Sequence, residues 1–438
     1  MKEVVIRAFA AAVNAVNPFE CVRKSLRVTS SSLSINGSSS SISIDNSTPL
    51  YLISFGKAAA AMAKGAEEIL GTRLKDGIAI VPKVEETSHP LKSTVFEAGR
   101  SNLPDPRSID ATKEVLKMVD NAGRNAVFII LISGGGSALL SFPSKGVTLD
   151  HKLTTIRALV SKGASIQQLN AVRRALSQVK GGGLLERMGE RKSLSLILSD
   201  IVGDPLEFIA SGPTVLPQSS IRAATVINEL NARSNLPKEV IDAIDGEKTS
   251  PSTAPSGAFN DIIGNNSIAL EEAKSLLETG GFMSAITTCT KVGDAGEFGR
   301  EVAEMVVGLK KGEKRAILYG GETTVNLPPN NGIGGRNQHA ALAAMIELSK
   351  RKVEWKDLNF CLLFAGTDGQ DGPTDAAGVT VSSQEIIDLS PEEKKQAEKA
   401  LFEADSYNFW KEFRGGKCHF RPGLTGTNVM DITIVICD

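Results

Sequence analysis

Short runs of apolar, β-branched residues alternate with longer stretches of helical periodicity along most of this chain. Nine runs read as strands: Leu50–Phe55, Gly77–Val81, Ala126–Ile132, Leu194–Ser199, Asp261–Gly264, Ala285–Thr288, Arg315–Tyr319, Phe360–Ala365 and Asp431–Cys437. Most are followed by a helical pattern, which predicts α/β architecture with mainly parallel sheets. The opening residues, MKEVVIRAFAAAVNAVNP, predict an amphipathic helix stopped near Pro18, with Val5, Phe9, Ala12, Val13 and Val16 on one face.

Residues 28–48 break this rhythm. Serine dominates, yet Leu33 and Ile35 alternate with polar residues, Asn36-Gly37 follows, and Ile42 and Ile44 alternate again. Asn-Gly between two alternating runs predicts a β-hairpin rather than disorder, exposed and peripheral to any chemistry. A second soft stretch, Asp245–Pro255, is rich in Pro, Ser and Thr. It places a domain boundary at 255, giving domains 1–255 and 256–438, both of ordinary size.

Length supports that division, because 438 residues exceed what one hydrophobic core organises. A net charge of −1 gives no pull toward nucleic acid or an anionic membrane, and no apolar run approaches a bilayer span. The N-terminal helix lacks the apolar core of a secretory signal. Glu3 and the single Arg7 disfavour a mitochondrial presequence, so a cytoplasmic location is the expectation. Five scattered cysteines show no disulfide framework and no zinc spacing.

Chemistry concentrates where the strands end, the edge at which α/β sheets bind ligands. Gly56-Lys57 follows one strand and SGGGS (Ser133–Ser137) another. Ser199-Asp200-Ile201-Val202-Gly203-Asp204, GGETT (Gly320–Thr324) and GTDGQDG (Gly366–Gly372) follow three more. Lys57 opens a helix, where the macrodipole disfavours a cation, so an anion nearby would explain it; a lysine turned to solvent is the alternative. Three glycines after a strand let backbone N–H groups converge on phosphate, with the next helix adding its dipole. A tight strand-to-helix crossover would use the same residues. Known phosphate motifs are absent: Leu139-Leu140 stand where a P-loop has Gly-Lys, and no GxGxxG is found.

Asp200 with Asp204, and Asp368 with Asp371 and Asp375, are sparse carboxylates of the kind that hold Mg²⁺ against phosphates; turn chemistry and helix capping are their other uses. Arg336, just ahead of a helix and behind Gly334-Gly335, can clamp a carboxylate or phosphate. Arg173, Arg174 and Lys180, on a helix ending at Gly181-Gly182-Gly183, read as a solvated basic face, with a place facing the cleft as the alternative. His89, before Pro90, reads as a loop residue, and His151, His339 and His419 share no metal spacing. TGTNVMDI (Thr425–Ile432) is polar enough to line a site.

Taken in order, LISGGGSALL, LSDIVGDP with IASGPT, GDAGEFG, GGETTV, GGRNQ, AGTDGQDGPTDAAG and TGTNVMDI resemble the MOFRL-type glycerate kinases, from about residue 4 to the C-terminus. NLPDP at 102–106 is similar to the animal-type members. The resemblance implies a Rossmann-like N-terminal domain and a smaller α/β C-terminal domain, with the active site in the cleft. It also implies ATP- and Mg²⁺-dependent phosphorylation of D-glycerate, at the 2-hydroxyl. Lys57 matches the GKA lysine, Arg336 the arginine of GGRNQ, Asp200 the LSD aspartate, and Gly134–Ser137 the Gly-rich loop.

On that basis Lys57, Asp200 and Arg336 are expected to be catalytic. Gly134, Gly135, Gly136, Ser137, Gly320, Gly321, Glu322, Thr323 and Asp368 are expected to bind the nucleotide, and Asp200 with Asp204 the metal. Ile333, where members often have Arg, and His339, where an acid is common, depart from the pattern. The substrate is a small molecule; neither nucleic acid nor membrane is expected, and a homodimer stays open. A nicotinamide-dependent hydroxypyruvate reductase and transfer to the 3-hydroxyl are the alternatives.

Overall fold

A computed structural model describes residues 1–82, 90–99, 103–217, 221–247 and 256–438. Two compact units emerge. One holds Pro18–Ser199 with Asp204–Ile263; the other holds Met1–Asn17, Asp200–Gly203 and Gly264–Asp438. His89 and the segment 248–255 lie outside the described residues, as does the first residue of NLPDP.

The first unit carries strands β1 (Leu26–Val28), β2 (Ser32–Ile35), β3 (Ser41–Ser43), β4 (Leu50–Phe55), β5 (Leu74–Val81), β6 (Thr94–Glu97), β7 (Val127–Ile132), β8 (Lys192–Leu198) and β9 (Ala258–Gly264). Its main sheet runs β6-β5-β4-β7-β8-β9, and the successive pairs from β6 to β8 are all parallel. Every residue of β4 and β7 is buried, the expected result for a sheet covered on both faces. The register pairs Phe55 with Ile132 and Ile132 with Ile197. Gly56-Lys57, Ser133–Ser137 and Ser199 therefore leave the sheet along one edge.

The serine-rich segment is a hairpin: β2 and β3 pair Leu33 with Ile42, and Gly37 takes a left-handed φ of 78° in the turn. It is less peripheral than the sequence implied. β1 adds a third strand, and Leu33, Ile35, Ile42 and Ile44 are buried in one core with Leu26, Leu50 and Leu52. The alternation is what allows this. One face packs inward while the serines face outward.

The second unit carries β10 (Met283–Lys291), β11 (Arg315–Gly321), β12 (Phe360–Gly366), β13 (Gly378–Ser382), β14 (His419–Phe420) and β15 (Asp431–Cys437). Here the expectation of mainly parallel pairing fails. The order is β10-β11-β15-β12-β13-β14, and only β10–β11 is parallel. The last strand inserts between β11 and β12, antiparallel to both. An apolar run reports burial on two faces but not the direction of its partners.

The boundary at 255 also needs correction. The helix Lys2–Ala15 belongs to the second unit. Val5, Ala8, Phe9 and Ala12 pack with Ala269, Leu270, Ala273 and Leu277 of the helix Asn266–Thr279, and Phe9 meets Phe420 edge-on at 5.1 Å. Its apolar face is thus spent on a core. Among the described residues no single helix is long and apolar enough to cross a membrane. The five cysteines are free thiols.

Candidate active site

In the first unit the ends of β4 and β7 are stitched together. The Ser133 amide donates to Phe55 O (3.2 Å), the Lys57 amide to Gly134 O (2.8 Å), and the Ala58 amide to Ser133 Oγ (3.1 Å). Gly56, at φ 129°, is obligatory here, because a Cβ would lie 2.1 Å from Ser133 Oγ. Lys57 precedes the helix Ala59–Leu70 by two residues, and its aliphatic stem lies along Gly135. Lysine and glycine turn, 78 residues apart in sequence, are brought together as expected.

The three glycines have distinct duties. Gly135 is left-handed at φ 77°. At Gly136 a Cβ would stand 2.8 Å from the Ala210 methyl and 3.0 Å from the Phe55 ring, so its bareness serves protein packing. Gly136→Ala is accordingly expected to cost about 1–3 kcal/mol by overpacking, read as a lower midpoint in chemical denaturation. The following helix is a single turn, Gly136–Leu139, too short for the dipole that the sequence argument invoked. What the turn does offer is unspent donors. The amides of Gly134, Gly135 and Ser137 donate to no acceptor among the described residues.

Lys180 corrects the sequence reading most sharply. It is buried, not solvated, and its ammonium donates to Ser137 O at 2.8 Å. Ser137 Oγ meets Ser211 Oγ at 2.6 Å, and the Gly181 amide reaches Ser211 O at 2.9 Å, tying three loops into one wall.

In the second unit, β15 aligns Asp431 with Gly321 of β11 and Gly366 of β12. Met430, just before it, is held at φ 71°, a strained conformation for a side chain of that size. Arg336, the first residue of the helix Arg336–Lys350, grips Asp431 with two bonds, Nε–Oδ2 at 2.5 Å and Nη2–Oδ1 at 3.0 Å. Its Nη1 pairs with Glu322 at 2.9 Å. The guanidinium thus arrives already answered by protein carboxylates, with two of its five N–H donors left over.

Burial works against its charge, but the Asp431 bond and the charges of Asp431, Glu322 and Asp371 outweigh that and raise its pKa. Asp431, missed as a site residue, stood only within the TGTNVMDI run. Burial pushes its carboxyl up against the pull of Arg336.

Asp371 is structural rather than metal-binding in this arrangement. Buried, it accepts the backbone amides of Asn337 (3.1 Å) and Gln338 (2.9 Å) and the Gln338 side chain (3.0 Å), capping the helix from 34 residues away. Burial pushes its pKa up to about 6. Asp375, by contrast, caps no helix. It bonds Tyr407 (2.8 Å) and Arg421 (3.2 Å), and a strand, β13, follows. His419 Nε2 contacts Gln338 Oε1 at 3.1 Å.

Gly320 and Gly321 are also filled by protein. A Cβ on Gly320 would strike Asn266 Oδ1 at 1.7 Å, and one on Gly321 would strike Lys291 O at 2.1 Å. The bare Gly320 makes room for the buried Asn266, whose Nδ2 donates to Val429 O and Asp431 O, and the bare Gly321 makes room for the Lys291 backbone. Thr323 is buried near them, and the half-buried Asp368 accepts the Gln370 amide at 3.0 Å.

Glu322 has a raised pKa. Burial is the main cause; Arg336 opposes it, and Asp431, Asp200 and Asp368 add repulsion. This field is short of positive charge, which suits a divalent cation. Among the described residues no group of three or more potential ligands is arranged to hold a metal, the expected Asp200 and Asp204 included. Asp204, at φ 55°, is grouped with the first unit and Asp200 with the second. Mg²⁺ ordinarily takes only one or two carboxylates, the rest of its shell being water and phosphate.

Comparison with known proteins matches residues 4–245 to a domain of unknown function, DUF4147, and residues 315–431 to the MOFRL family. The glycerate kinase of Rattus norvegicus is 35% identical over 98% of this chain and 91% of its own. The D-glycerate 2-kinase of Thermotoga maritima is 36% identical over 95% of this chain and 96% of its own. A crystal structure of glycerate kinase from Thermotoga maritima superposes with a TM-score of 0.84 at 33% identity, over 100% of this chain and 99% of that one. Matching segments, full-length identity and a shared two-unit α/β fold lead to one conclusion: the chain belongs to the MOFRL-type glycerate kinase family.

Proposed function

We propose that this chain transfers the terminal phosphoryl group of ATP to the 2-hydroxyl of D-glycerate. One observation carries the reading beyond family membership: Lys57 lies along a glycine turn whose Gly134, Gly135 and Ser137 amides have no acceptor among the described residues. Unspent N–H groups beside a lysine are what phosphate oxygens need. The choice of the 2-hydroxyl rests on the names of the relatives from Thermotoga maritima and Pyrococcus horikoshii, a D-glycerate 2-kinase and a glycerate 2-kinase.

Phosphoryl transfer asks a protein mainly for positioning and charge neutralisation. The turn and Lys57 hold the phosphates. Arg336, oriented by Asp431 and Glu322, uses its remaining donors to steady an anionic group of the reactants. Asp200 accepts the proton as the hydroxyl oxygen attacks phosphorus and ADP departs. Glu322 would help to hold Mg²⁺, which would supply charge neutralisation when bound.

The test is incubation with ATP, Mg²⁺ and D-glycerate, followed by phosphorus NMR. The expected product is 2-phosphoglycerate with ADP. A 3-phosphoglycerate signal would overturn the regiochemistry. NADH oxidation with hydroxypyruvate, and no phosphorylated product, would overturn the whole assignment.

A further inference from the structure

Away from Lys57, the first unit buries positive charge that it does not neutralise. Lys152 lies in the helix Leu149–Ser161, Arg173 in the helix Ile166–Ala175, and Lys180 in the segment that follows. Lys152 is 6% exposed and Lys180 9%. Among the described residues none of the three has a carboxylate partner. Arg173 bonds Asn170 Oδ1 at 3.1 Å, Lys180 bonds Ser137 O at 2.8 Å, and the Lys152 ammonium has no protein acceptor.

The three groups feel one another. Burial first, then the charge of Arg173, lowers Lys152 to about 8. Burial, then Lys152 and Arg173, hold Lys180 well below its ordinary value. The adjacent Arg174 is also lowered by burial, but there Glu207 and Glu247 oppose the shift in part. Cations buried without counter-charge are unfavourable unless something else supplies it. The cluster touches the candidate phosphate turn through Ser137.

We propose that Lys152, Arg173 and Lys180 form an oxyanion subsite adjoining the Ser137 end of that turn, occupied by a phosphate or carboxylate group of one of the two substrates. The inference rests on the kinase reading and extends it, because it adds three binding residues beyond the glycine turn and Lys57.

Calorimetric titration of ATP and of D-glycerate, in separate arms, tests it on wild type and Lys152→Met. Losing one charged hydrogen bond should weaken one ligand roughly 10–100-fold and leave the other nearly unchanged. The affected arm identifies the source of the anion.

Two further readouts separate binding from structure. Thermal stability of Lys152→Met at pH 7 should hold or rise, because a repelling buried cation is gone. Near pH 8, binding of the affected ligand should take up protons in wild type and not in the variant. Should Lys152→Met fail to fold, Arg173→Gln is read in the same way. Unchanged affinity in both arms overturns the subsite while the kinase reading stands. A wild type that binds neither ligand and forms no phosphoglycerate overturns both.

Discussion

Asp200→Asn is expected to lower kcat by about 10²–10⁴-fold, the usual contribution of a positioned general base, with no change in thermal midpoint. Asn keeps the shape of the side chain and removes its negative charge together with its capacity to take a proton. Asp200 follows the end of β8, on a segment grouped with the second unit, and its charge reaches Glu322. KM for D-glycerate should move little, because the interaction lost belongs to the transition state. Steady-state kinetics at several Mg²⁺ concentrations make the check decisive. Near-normal kcat removes Asp200 from the reaction, and recovery at high Mg²⁺ reassigns it as a metal ligand.

Asp431→Ala should be the most costly change to the fold of the site. Asp431 holds Arg336 through two bonds and Asn337 Nδ2 through a third at 2.9 Å. Removing one partner of a buried pair strands the other charge, an effect of about 3–5 kcal/mol. The Arg336 side chain is 32% exposed and keeps Glu322, so the lower end, about 3 kcal/mol, is expected. Urea denaturation measures it, and activity should fall with it as the guanidinium loses its orientation. A loss below about 1 kcal/mol, the value of an exposed pair, would mean that Asp431 does not anchor Arg336.

The two variants separate the roles that the geometry assigns. One should affect rate without stability, the other stability and rate together. They also mark how differently the two residues were legible. Asp200 stands at the end of an apolar run, where strand-end logic directs attention. Asp431 opens the last strand and acquires meaning only from Arg336, 95 residues earlier in the chain.

By itself the sequence determined the strand-bearing runs, the Asn36-Gly37 hairpin, and the adjacency of Lys57 and Gly134–Ser137 to strand ends. These are short-range signals. Alternation, β-branching and a glycine that must take positive φ act over a few residues, and parallel strands share one functional edge. The tertiary structure alone decided the antiparallel insertion of β15 and the placement of the helix Lys2–Ala15 against Asn266–Thr279. It alone also put Asn266 into the space left by Gly320 and joined Lys152 to Lys180. The physical reason is common to all four. A local pattern records that a face must be buried or a backbone left bare. Which distant group covers it, and whether a buried charge finds a partner there, is settled only when the whole chain packs.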